Sequence, residues 1–70
     1  METLDLHGRR YNEVELLVEN WVLLQDLPAR IITGNSPGMR SIVLEVLKKY
    51  QIIWWYENHY NLGAIIIGEQ

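Results

Sequence analysis

ARIITGNSPG, residues 29–38, holds a strand, a turn and a helix start in ten residues. Ala29 to Thr33 is a short apolar run bounded by Pro28 and Gly34, which reads as a buried strand. Gly34 and Asn35 supply turn chemistry. Ser36 then caps a helix, and Pro37 occupies the first helical position, where no N–H is needed. A strand that runs through a glycine turn into a helix is the repeating half of an α/β fold.

The same reading extends in both directions. Upstream, Thr3 to Leu6 alternates polar and apolar and suits a short strand ended by Gly8. Leu4 and Leu6 face one side, Asp5 and His7 the other. Asn12, with Glu15 three residues later, reads as the N-cap of a first helix. Val14, Leu17, Val18, Trp21 and Leu24 form its buried stripe, and Asp26-Leu27-Pro28 stops it. Downstream, Met39, Ile42, Val43, Val46, Leu47 and Tyr50 form the second stripe, with Lys48 and Lys49 in the last turn. Ile52 to Glu57 is a β-branched and aromatic strand. Asn58 to Gly63 is a loop, and Ala64 to Ile67 is a strand apolar at every position, as expected in a sheet interior.

The expected order is β-α-β-α-β-β, a two-layer α/β sandwich with helices on one mixed four-stranded sheet. Seventy residues allow one domain, residues 1–70. A chain this short buries only about 60% of its unfolded surface, and the 49% hydrophobic content partly offsets that. There is no cysteine, hence no disulfide and no thiolate zinc site, which fits a reducing, cytoplasmic setting. No secretory signal is visible at METLDLHG, and the apolar runs fall far short of the roughly 18 residues of a membrane span. A net charge of −3 argues against a nucleic-acid binder that works by bulk charge, but not against a local basic patch.

In open α/β sheets, ligands gather beyond the carboxyl ends of the parallel strands. Two loops fall there, His7 to Asn12 and Thr33 to Pro37, and the second offers helix N–H groups to an anion. Asp5 beside His7 could serve as a general base or hold a metal; the plainer reading is a polar, solvent-facing strand end. Arg9, Arg10 and Arg40 place half of the six basic residues at this edge. Arg40 sits unfavourably for a helix dipole, so it answers to a ligand or to a surface ion pair. His59, in the last loop, should share the edge, as a loop residue or as a metal ligand with Asp5 and His7. Trp54, Trp55 and Tyr56 cannot all face the helices; an aromatic left outside suits the core rim, a weak homodimer or a stacked base.

LDLHG at the first strand, TGNS before the second helix and NLGAIII at the end together resemble the Smr (small MutS-related) domain family, from Leu4 to about Ile67. Ser36 stands where the common TGxG turn has a second glycine. The resemblance implies a fold like the C-terminal domain of translation initiation factor 3. It also implies nucleic-acid binding, RNA favoured over DNA, with the ribosome as a candidate partner. Several members are endonucleases that use the DLH residues, here Asp5, Leu6 and His7; others lack nuclease activity. The expected site has Asp5 and His7 as catalytic groups. Gly8, Arg9, Arg10, Thr33, Gly34, Asn35, Ser36, Arg40 and His59 would contact phosphate or nucleic acid. No dedicated metal site is assigned, and Mg²⁺ or Mn²⁺ is a candidate cofactor. A non-catalytic binding module and a small dimerising protein are the competing readings.

Overall fold

A computed structural model describes residues 1–68. Its elements are β1 (Thr3–Asp5), α1 (Tyr11–Leu24), β2 (Ala29–Ile32), α2 (Pro37–Lys49), β3 (Ile53–Tyr56) and β4 (Ala64–Gly68). The four strands form one mixed sheet in the order β1-β2-β4-β3. β1 is parallel to β2, and β4 is antiparallel to both β2 and β3. β3 therefore points the same way as β2. Both crossovers step in the same direction across the sheet, so crossovers of one hand put both helices on one face.

Burial shows that face. Leu6, Ala29, Ile31, Ile65 and Ile67 pack under Val14, Val18, Val22, Met39, Val43, Val46 and Leu47. Burying each aliphatic side chain of this size contributes about 1.5–3 kcal/mol. β4 lies between β2 and β3 and is buried along its whole length. Its helix-free face is covered too. Arg30 on β2 forms an ion pair with Glu57 beyond β3, across the intervening β4, and Thr3 accepts a hydrogen bond from the Arg30 guanidinium. Arg30 thus braces the open face. Trp55, 49% exposed, lies on that same face. Trp54 and Tyr56 face the core, with their rings edge to face at 5.1 Å.

Four details differ from the sequence reading. α1 begins at Tyr11 with Arg10 as N-cap, not at Asn12. Glu13 Oε1 accepts the Arg10 N–H at 3.4 Å, and because arginine has no acceptor the cap is one-sided. The buried row of α1 is Val14, Val18 and Val22, whereas Leu24 is 81% exposed and Leu17 and Trp21 lie at the flank. Three valines at i, i+4 and i+8 present a narrow ridge that lets the helix approach the sheet. Finally, β1 ends at Asp5, although the Leu6 N–H still donates to Ile32 O at 2.8 Å. The strand reading for residues 52–57 likewise shortens to Ile53–Tyr56.

The helices are tied near their C-terminal ends. The Tyr50 hydroxyl and Lys49 Nζ both donate to Glu19 Oε2, at 2.5 and 3.2 Å. Tyr50, then Lys49, hold the Glu19 carboxyl below its usual 4.5, and the Glu19 carboxylate pushes Lys49 and Tyr50 up. A depressed carboxyl stabilises the fold above its unfolded pKa and loses that contribution as pH falls through the folded value; the raised Tyr50 and Lys49 lose theirs as pH rises past 10. Glu19→Gln should therefore melt below the wild type at neutral pH. The gap should close as pH falls below 4.5 in thermal melts followed by circular dichroism. A gap of constant size at every pH would contradict this tie.

Candidate nucleic-acid interface

Three loops meet at the carboxyl edge of β1 and β2. The first is a tight turn from Leu6 to Arg9, closed by the Arg9 N–H on Leu6 O at 3.0 Å. Gly8 takes the third position of this turn with φ +81°, a left-handed conformation that favours glycine. His7 is thereby placed at the turn's apex, with an exposed side chain. Asp5 Oδ1 accepts the His7 backbone N–H at 2.9 Å, an Asx-type turn. Asp5 holds the main chain of His7; the imidazole makes no hydrogen bond among the described residues.

The second loop runs from Thr33 to Ser36. Gly34 has φ +68°, and a Cβ placed on it would lie 3.9 Å from His7 Cδ2. The imidazole thus stands against the glycine turn at the base of α2, and the two sequence marks are neighbours in space. Ser36 caps α2, its Oγ accepting the Met39 N–H at 3.1 Å. The same Oγ meets the Tyr11 hydroxyl at 2.5 Å, and the Tyr11 ring covers Gly38, where a Cβ would come within 2.7 Å of it. The first turns of α1 and α2 are thereby pinned side by side. Both helices run against β2, so both N-terminal dipole ends point to this edge.

The third loop closes the site. Gly63 O accepts both the Thr33 N–H (2.8 Å) and the Gly34 N–H (3.2 Å). A Cβ on Gly63 would sit 2.9 Å from Gly34 backbone atoms, so only glycine permits this approach. Thr33 is buried, and its hydroxyl donates to Gly34 O and Gly63 O; it fastens the loops together. With the Gly34 amide engaged, the Asn35 and Ser36 amides remain without a partner among the described residues. Arg40 Nε donates to Leu62 O at 3.2 Å, which explains its unfavourable place on the dipole and leaves both Nη atoms unbonded among the described residues. Arg9 pairs loosely with Glu13 at 3.9 Å, a contact worth little in water, and Arg10 is exposed.

His59 is exposed in the third loop, and no hydrogen bond joins it to Asp5 or His7. Among the described residues no three His, Asp or Glu side chains are grouped to hold a metal, so Asp5, His7 and His59 do not form a three-ligand set. A groove of about 330 Å³ lies between α1 and α2, lined by Glu15, Ser41, Ile42, Glu45, Val46 and Lys49. His7 is not among its lining residues, and the chemistry of the edge rests on polar groups rather than on that concavity. Among the described residues no helix is long and apolar enough to cross a membrane. The sequence reading missed Tyr11, whose one local signal is an aromatic just ahead of the helix start that the sequence suggests at Asn12.

No family model, curated protein or solved structure matches this chain.

Ser36→Ala removes both the cap and the partner of Tyr11, and should lower unfolding free energy by about 1 kcal/mol in urea. Tyr11→Phe keeps the ring over Gly38 and should cost less. Unchanged stability in Ser36→Ala would contradict the cap.

Proposed function

We propose that this chain is a nucleic-acid-binding domain of the Smr type. In this reading it acts in the cytoplasm as an endonuclease on RNA, or on DNA, at the carboxyl edge of its sheet. The observation that carries the reading is the exposed imidazole of His7 standing against the Gly34 turn, at the edge to which both helix N-termini point. The LDLHG and TGNS segments, and the β-α-β-α-β-β order on one mixed four-stranded sheet, support the same reading.

The chemistry follows from the groups present. A phosphodiester is drawn to the Asn35 and Ser36 amides, the two dipole ends and the Nη atoms of Arg40, with Arg9 and Arg10 holding neighbouring phosphates. These donors oppose the charge that develops on the phosphoryl oxygens. His7, without a hydrogen-bond partner among the described residues, takes a proton from the attacking oxygen, the 2′-hydroxyl of RNA or water, as that oxygen bonds to phosphorus; the phosphorus–oxygen bond to the leaving nucleoside breaks, and that oxygen takes a proton from the imidazolium or from water. Asp5 fixes the main chain that carries His7. Its Oδ2 has no partner among the described residues, so Asp5 is the group that would hold a Mg²⁺ or Mn²⁺ ion, which would supply positive charge at the phosphate.

A second reading, a non-catalytic module that docks nucleic acid or a ribosome at the same edge, is favoured by the lack, among the described residues, of a carboxylate hydrogen-bonded to the His7 imidazole. One assay separates the two. Purified protein is incubated with labelled RNA, single-stranded DNA and duplex DNA, with and without Mg²⁺ or Mn²⁺, beside His7→Ala and Asp5→Asn. The nuclease reading predicts cleavage that falls about 10²–10⁴-fold in His7→Ala, the usual range for a general base. Stability should change by no more than about 0.5 kcal/mol, as for surface substitutions. Binding without cleavage in the wild type selects the second reading. Cleavage retained in both variants, or no binding at all, contradicts the proposal.

A further inference from the structure

We infer that Tyr60 is a stacking platform for an unpaired base, so that the strand bound at this edge is single-stranded there; the inference rests on the nucleic-acid reading above. Tyr60 is 98% exposed, the most exposed large apolar residue among those described. It is nonetheless held in place. Asn58 Oδ1 accepts the N–H groups of Tyr60 (3.0 Å) and Asn61 (2.6 Å), and Asn61 Oδ1 accepts that of Gly63 (2.9 Å). Arg40 grips Leu62 O, and Gly63 O is locked to Thr33 and Gly34. The loop is fastened at both its tip and its base, and its ring still stands in water.

Position gives the ring a task. Tyr60 is three residues from Gly63, so their Cα atoms lie within about 10–11 Å. Gly63 O is hydrogen-bonded to the Gly34 amide, and the His7 imidazole lies 3.9 Å from where a Cβ on Gly34 would sit. A short stretch of strand therefore reaches from the imidazole to the ring. The other exposed rings are engaged elsewhere: Trp55 lies on the open sheet face over Gly68, and Tyr11 is tied to Ser36.

Charge supplies an independent argument. The chain carries −3 overall, and three arginines serve this edge. Few phosphates can be neutralised, so the electrostatic share of affinity is small. Stacking supplies a contact that does not depend on charge, and every base offers a π-face. Only an unstacked base can offer it, which a duplex interior cannot.

The test is fluorescence anisotropy with a labelled 2′-O-methyl RNA strand, free or annealed to its complement. EDTA is present, so neither 2′-hydroxyl attack nor a metal-assisted cut consumes the probe. Wild type should prefer the free strand. Tyr60→Ala should weaken that binding about 5- to 150-fold, the range for losing one stacked base, and leave duplex binding and the melting temperature unchanged. Tyr60→Phe keeps the ring and should bind within about twofold of wild type. Equal single-strand affinity in Tyr60→Ala overturns the platform while leaving the functional proposal standing. A Phe variant as weak as Ala, or a wild type that prefers duplex, also overturns it. A wild type that binds neither probe overturns the functional proposal and this inference together.

Discussion

One carbonyl oxygen organises the functional edge. Gly63 O accepts the amides of two successive residues, Thr33 and Gly34, and so joins the loop before β4 to the turn after β2. The approach is close enough that a Cβ at Gly63 would strike the Gly34 backbone. Without this junction, β4 would still pair with β2, but its preceding loop would be free to leave the edge. With it, Gly34 is set against His7, Arg40 reaches Leu62, and Tyr60 is presented on an anchored loop. The buried Thr33 hydroxyl reinforces the junction from inside.

The surroundings of that junction explain how an acidic protein can attract an anion. Two parallel helices direct their N-termini to the same edge, and the Tyr11–Ser36 contact keeps them together. Four of the nine acids are engaged in internal contacts: Glu57 on Arg30, Glu19 on Lys49 and Tyr50, Asp5 on the His7 amide and Glu13 on the Arg10 amide. Local field, not net charge, governs an interaction of this range, because the Debye length is only about 8 Å at physiological salt. A weak, local attraction also assigns a larger share of recognition to contacts that read the strand's shape and its exposed bases.

The sequence made the local features legible. The Ser36-Pro37 helix start depends on residues adjacent in the chain, and it is present as read. The β-α-β-α-β-β order followed from alternating run types, and the fully apolar AIII segment marked a central strand. The buried row of α1 was not legible. Leu16, Leu17, Trp21, Leu23 and Leu24 create overlapping apolar stripes, and the sheet selected the valines between them. Nor could alternation foresee that Asp5 would turn to the His7 amide, because the chain leaves the strand at Asp5 and the period-two rule lapses there. The Gly63 junction was the least visible feature. It is a backbone contact across thirty residues, and no side-chain pattern encodes it beyond the glycine itself.

Native-state amide hydrogen exchange at Thr33 and Gly34 tests this junction most directly. Both N–H groups lie outside the strands, where loop amides ordinarily open with little free energy. If the Gly63 carbonyl holds them, both should exchange as slowly as Ile31 in the adjacent strand, while Asn35, one residue on, exchanges quickly. Exchange at Thr33 and Gly34 as fast as at Asn35 would mean that the three loops are not joined, and that the edge is not the assembled site described here.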